Sequence, residues 1–501
     1  MDPRVAFAAP GAAVVGILLG DARGAAPATS LLVAAGVGVA AIALSRSPRL
    51  RTALFLLALV GAACALEQRA LDGLVSGSVV DAARARDEVT VVATLLEDPA
   101  GSRWSARALA AVESVRIHRS ATHGVEHVTE RRTVLLDADG SAVVRLGVLA
   151  AGDRAVLRGW LRPLEGYDER LRWRHAAARL DVLEVVTVTP SNGVLATVAN
   201  GARDVVLEGT DLLPVDERAL VAGFLLGDTR DLDPVVLEEF RAAGLSHLLA
   251  VSGSNVAFVL ALLGPFLRRS PRTLRVAFTL GALAVFGAMT RWEPSVLRAC
   301  AMAACAVLAV HVGRPATGIR VLALAVTVLL LVDPFLLRSV GFQLSCGASA
   351  GITLLTVPFA RRLGGPEWLR ESLATTAAAQ VGVAPVLLPV FGSLPLVSLP
   401  ANLLAVPLAG PLTMWGLTAG AVAGLLRTVA PPIAALLQVP TRLLAEGVLG
   451  IAALASRTPL AIDTRGAVAI AASSVAVAAL VAVLRRRRRM LRERAVVVPT
   501  R

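Results

Sequence analysis

The sequence predicts a mainly α, polytopic helical membrane protein of about twelve transmembrane helices, with one small all-β domain inserted near its N-terminal end. Three observations predict it. Hydrophobic residues make up 55% of the 501 and mean hydropathy is +0.69, far above what a soluble globular chain carries. Apolar runs alternate with short arginine-bearing connectors through most of the chain, the pattern of spans and cytoplasmic loops. Between residues 67 and 215 that pattern gives way to charged residues every few positions and alternating apolar ones.

Residues 1–66 hold three apolar runs, near 5–20, 31–44 and 52–66. They are short for a bilayer core of roughly 30 Å. The first has only Arg4 beside Asp2 ahead of it, and two further runs follow, so it reads as a retained span and not as a cleaved signal. Arg46, Arg49 and Arg51 place the second connector in the cytoplasm and send the third span outward. The domain at 67–190 then lies outside. Its runs Val89–Leu96, Thr133–Leu136 and Ala155–Leu161, separated by Gly, Asp and Pro, read as short strands of a small barrel. Residues 191–242 read as an amphipathic helical connector, also outside.

From 243 to 484 about nine more spans follow, with Arg268, Arg269, Arg272, Arg314, Arg361, Arg362 and Arg427 in connectors that face the cytoplasm. The tail 485–501 carries eight arginines against one glutamate, so it supplies +7 of the formal +13. Positive charge there anchors the C-terminus inside and attracts anionic lipid; contact with nucleic acid is the alternative.

All 50 basic residues are arginine, as a GC-rich coding bias produces. Without lysine there is neither a phosphate-binding P-loop nor a Schiff base, so uphill transport would draw on a partner motor, an ion gradient or trapping on the far side. Cys64, Cys300, Cys305 and Cys346 all sit in apolar runs, which suits neither a disulfide framework nor a zinc site. His118, His123 and His127 cluster loosely without a cysteine or carboxylate frame, and no metal or other cofactor is expected.

The most informative stretch is Gly244-Leu-Ser-His-Leu-Leu-Ala-Val-Ser-Gly-Ser-Asn255. In lipid an unpaired backbone group costs several kcal/mol, so a break at Ser252, Gly253, Ser254 and Asn255 needs partners or a watery cavity. Transporters set broken helices at substrate sites; a packing break with Gly253 at a close helix approach is the other reading. His247 is either a proton relay or an interface residue satisfied by a neighbouring backbone.

Leu226-Gly-Asp228, Leu237-Glu-Glu-Phe240 and Gly244–Gly253, followed by Pro294–Ala299, Asp333-Pro334, Gly341–Ser345 and Pro400–Pro407, stand in one order over the second membrane block. This ordered set resembles the signature of the ComEC-type competence family. Ala151-Gly-Asp-Arg154 and Gly159-Trp-Leu161 resemble that family's OB-like outer module. The resemblance implies passage of one DNA strand across the cytoplasmic membrane during natural transformation. Its implied partners are single-stranded DNA, membrane lipids, a separate cytoplasmic motor, a DNA receptor and possible further copies of the chain. Many members continue into a metal-dependent β-lactamase-like domain credited with degrading the other strand. The sequence ends at Arg501 without such a motif, so the expectation is a conduit without catalysis.

A single strand presents one phosphate per nucleotide, and passage without sequence preference calls for arginine, polar groups and stacking surfaces. The path candidates are Asp228, His247, Ser252, Gly253, Ser254, Asn255, Arg298, Gln343, Ser345, Gln380 and Asn402. Arg298 either lines the outer mouth or snorkels to headgroups, and the amides either line the path or join helices. In the outer domain Trp104, Tyr167 and Trp173 are the candidates for stacking on bases, while Trp160, between Gly159 and Leu161, reads as core. Residues 83–190 carry sixteen arginines against fifteen acids, too balanced for strong DNA affinity. The rival readings are a transporter of another solute, coupled through His247 and Asp228, and a membrane-embedded enzyme using the same pair.

Overall fold

The computed structural model describes residues 3–24, 35–36, 38–39, 47–102, 104–118, 125–314, 317–395, 397–457 and 461–463. Most of the span expected at 31–44, His123, the last apolar run and the basic tail lie outside the described residues.

The long helices described ahead of the β domain are Pro3–Arg23 and Pro48–Val75. The second starts where Ser47 accepts a hydrogen bond from the Leu50 amide and Pro48 occupies the first turn, a combination that fixes a helix N-terminus. After the short helix Ser78–Ala85, seven strands follow: β1 (Glu88–Leu95), β2 (Ala100–Ser102), β3 (Ser105–His118), β4 (Val125–Val128), β5 (Arg132–Asp139), β6 (Arg154–Arg162) and β7 (Ala176–Thr189). The strands expected from sequence correspond to β1, β5 and β6.

β1 pairs antiparallel with both β3 and β6, β3 with β5, and β6 with β7, while β5 and β7 run parallel. The five long strands therefore close into a ring, which leaves none of them with an unpaired edge. Every second residue of β1 and β6 points inward. Val89, Val91, Ala93 and Leu95 meet Leu157 and Leu161 in the barrel core. Trp160 falls on the other phase of β6 and is only half-buried. Its expected place in the core is corrected by this register, because Gly159 and Leu161 take the inward positions.

Twelve helices follow the barrel among the described residues, from Val194–Thr210 to Pro431–Ser456. Counting Pro48–Ala85, seven described helices are long and apolar enough to cross a membrane; Gly253–Pro265 and Gly318–Val332 are shorter apolar helices. Leu354, Leu425, Leu436, Leu443 and Leu454 stay exposed on these helices, as side chains facing hydrocarbon do. The chain is thus a multi-pass helical membrane protein carrying a small β domain.

The segment 191–242 is more deeply integrated than a connector. In Val215–Leu226 every residue from Ala219 to Leu226 is buried, and Phe240 is wholly buried in Pro234–Ala242. Only the first turn, with Asp216 and Glu217, stays polar, where carboxylates complement the helix dipole. These helices share one core with Ser398–Leu426 and Pro431–Ser456. The closest approach is between Val194–Thr210 and Ser398–Leu426, where a Cβ added at Gly424 would lie 2.0 Å from the Val205 carbonyl oxygen. Small residues let membrane helices touch backbone to backbone in this way.

Gly424→Ala is expected to destabilise the protein by about 1–3 kcal/mol through overpacking. Gly450, with nothing within 4 Å of its would-be Cβ, serves as the comparison, since Gly450→Ala should be neutral or slightly stabilising. Thermal unfolding of the purified variants in detergent checks the contrast; equal effects would contradict the packing.

Candidate functional site

The break anticipated around Ser252 is a genuine change of element. The short helix Ser246–Leu249 ends, Ala250 and Ser252 are extended, and a new helix runs Gly253–Arg269. Its first turn is held to its neighbours by side chains. Asn255 is almost fully buried and donates its Nδ2 to the Phe224 carbonyl at 2.8 Å. The Ser252 hydroxyl meets the hydroxyl of Ser254 and the Asn255 Oδ1. No side chain caps the start of this helix.

Arg298 comes up against that turn. It lies one turn into Pro294–His311, which starts on Pro294 as helices favour. The Ser295 hydroxyl donates to the Val251 carbonyl and ties the two helix starts together. Arg298 is 7% exposed, with Nε donating to the Ser345 hydroxyl at 2.6 Å and Nη1 reaching the Met302 sulfur at 3.1 Å. Its Nη2 would be 2.9 Å from a Cβ at Gly253, so a side chain at that position would push the guanidinium aside. Among the described residues no carboxylate pairs with it. Ser252, Gly253, Ser254, Asn255, Arg298 and Ser345, named separately from the sequence, form one cluster.

A second group forms where Ser398–Leu426 begins. Gln380 donates to the Ser398 hydroxyl. One turn on, Asn402 is 7% exposed and lies beside the His247 side chain. His247 itself is exposed. Gln343 joins neither group, because its Nε2 donates to the Leu337 carbonyl at 2.6 Å in the turn before its own helix.

Asp228 lies elsewhere, in an ion network that joins barrel to bundle. It accepts from Arg203 at 2.6 Å and from Arg230 at 2.5 and 2.7 Å. Arg203, 4% exposed, also reaches Asp98 at 3.2 Å and donates to the Met289 carbonyl. Arg291 grips both Asp98 oxygens, at 2.6 and 3.1 Å, and donates to Asn200. Arg291 and Trp292 hold φ of 54° and 55°, left-handed backbone that costs of order 1 kcal/mol per residue. Sequence reasoning missed Asp98, Asn200, Arg203 and Arg291, since nothing in their local spacing links residues so far apart. A second joint sits across the barrel. There His175 contacts Asp333 at 3.0 Å, and Arg338 pairs with Asp21 and Glu67.

Of the β-domain aromatics, Trp104 is 73% exposed and Tyr167 71%. The Arg170 guanidinium lies over the Tyr167 ring, 3.2 Å from its centroid. Trp173 belongs to the second joint: its ring meets Phe335 edge-on at 5.5 Å with Arg338 above it.

Burial pushes the Asp98 and Asp228 carboxyls up, but the arginines outweigh it and hold both below the usual carboxylate range. With folded values depressed, their contribution is complete above the unfolded value of about 3.9 and fades as pH falls through the folded values. Below about pH 4 the joint should therefore loosen. Arg203→Ala, which leaves two buried carboxylates short of a partner, should cost about 3–5 kcal/mol at neutral pH and flatten this acid dependence. Unfolding followed from pH 3 to 7 checks it; an unchanged pH profile in the variant would contradict the role of the network.

Residues 224–489 match the family model described as Competence protein, a stretch that opens within Val215–Leu226 and takes in every path candidate. "ComE operon protein 3" of Bacillus subtilis (strain 168) is 26% identical over 309 residues, 61% of this chain and 38% of that protein. "Uncharacterized protein YcaI" of Escherichia coli (strain K12) is 28% identical over 224 residues, 41% of this chain and 29% of that protein. The chain thus spans well under half the length of these relatives. No solved structure matches. Since the matched region is more than half of its 501 residues, the chain belongs to the Competence protein family.

Proposed function

We propose that this protein admits one strand of DNA across the cytoplasmic membrane during natural transformation. The barrel, whose ring order and parallel β5–β7 pair fit an OB-like module, receives the strand outside, and the second helical block conducts it. In this reading residues 67–242 face outward and the C-terminus inward. The strand, anionic lipid, a separate motor and a DNA receptor are the partners.

The observation that carries the reading is the convergence of hydrophilic groups from three helices on Arg298, in the part of the chain that matches the family. An arginine buried among apolar helices without a carboxylate is costly, and a passing polyanion supplies what it lacks. The second group, His247 with Asn402, Gln380 and Ser398, extends the polar lining to three further helices. Trp104 and, on the face that Arg170 leaves uncovered, Tyr167 are the stacking candidates at the barrel surface, where each base is worth about 1–3 kcal/mol. Proton coupling through Asp228 is disfavoured, because both its oxygens are taken by arginines.

Deleting the gene from a transformable host should abolish uptake of labelled DNA into the cytoplasm, and the wild-type chain should restore it. Gly253→Leu should insert normally but restore at most a few per cent of uptake, because its side chain would drive into the Arg298 guanidinium. Normal uptake in the deletion strain would sink the proposal; full uptake with Gly253→Leu would remove the helix start from the path.

A further inference from the structure

Arg298 and the first turn of Gly253–Arg269 present two positive poles to one point. The start of a helix carries roughly half a positive charge on amides that have no partner within the helix. Here no side chain caps them, and the Gly253 and Ser254 amides donate to no other group among the described residues. Facing them is Arg298, a residue only 7% exposed. Its Nε and Nη1 are engaged by Ser345 and Met302, while Nη2, the atom nearest Gly253, donates to nothing among the described residues. A cation set against the positive end of a helix repels it, and low dielectric sharpens the repulsion. An anion bound against both poles would balance the arrangement. Phosphate oxygens suit the place, since helix starts and arginine forks both bind them.

We infer that the Gly253–Ser254 amides, the Arg298 Nη2 and the Ser252 and Ser254 hydroxyls hold one phosphate group, a phosphodiester of the transported strand. This rests on the conduit reading for the identity of the anion, but the site itself can be tested without transport. One retained phosphate at a time would keep the strand in register at the mouth of the helical block. Flanking apolar residues such as Val251 and Ala299 offer no base-specific contact, so the hold is blind to sequence.

The test uses the full chain in nanodiscs of phosphatidylcholine, with thermal unfolding followed against inorganic phosphate or a short oligothymidylate, each compared with chloride at matched ionic strength. Phosphate and oligothymidylate should both raise the midpoint in the wild type. Arg298→Gln should weaken both responses at least tenfold in ligand concentration, and Arg298→Lys should retain part of them. Replacing part of the lipid with phosphatidylglycerol should leave the response to oligothymidylate intact; loss of that response there would mean that a lipid headgroup is the occupant and would overturn the assignment. An equal response to chloride, or an undiminished one in correctly inserted Arg298→Gln, would overturn the site. Such a failure is separate from failure of the conduit, which uptake in the deletion strain decides.

Discussion

Within a membrane every polar group must find its partner inside the protein, and this constraint organises the whole structure. It explains why the amide of Gln343 turns to a backbone carbonyl. It also makes Arg298 conspicuous. Where other deeply placed arginines such as Arg203 and Arg338 are paired with carboxylates, Arg298 has a serine, a thioether and a helix start. The difference sets Arg298 apart from the arginines that join the elements of the fold through ion pairs.

Two ionic joints fix the barrel on the helices. One gathers Asp98, Arg203, Asp228, Arg230 and Arg291; the other gathers His175, Asp333, Arg338, Glu67 and the ring of Trp173. Both draw on residues far apart in the chain, and both lie beside helix starts that shape the candidate path. The strained backbone at Arg291 and Trp292 leads directly into Pro294–His311, so the grip of Arg291 on Asp98 helps to set the position of Arg298 one turn later. Docking of the β domain and placement of the Arg298 cluster are in this way coupled.

Much of this was legible from residue order. Strand runs in the barrel, the apolar spans and the Ser252–Asn255 break all follow from local periodicity and from the cost of polar backbone in lipid. Gathering of Ser252–Asn255, Arg298 and Ser345 was foreshadowed only as a set of polar positions, because spacing along a chain does not say which helices touch. The joints were not legible: Asp98 and Arg291 are 193 residues apart and each looks like an ordinary surface charge. Burial of Val215–Leu226 was misread as a connector, since charges at its start hid an otherwise apolar helix. Trp160 was misassigned because glycine at 159 takes the inward phase of its strand.

The central claim is a hydrated route through the second helical block. The most direct test places a single cysteine at Ser254 in a chain whose four native cysteines are replaced by alanine, and measures its reaction with a charged, membrane-impermeant thiol reagent in intact cells. The account predicts fast labelling that slows when single-stranded DNA is added. Labelling no faster than at the lipid-facing position Leu443, and indifferent to DNA, would contradict it.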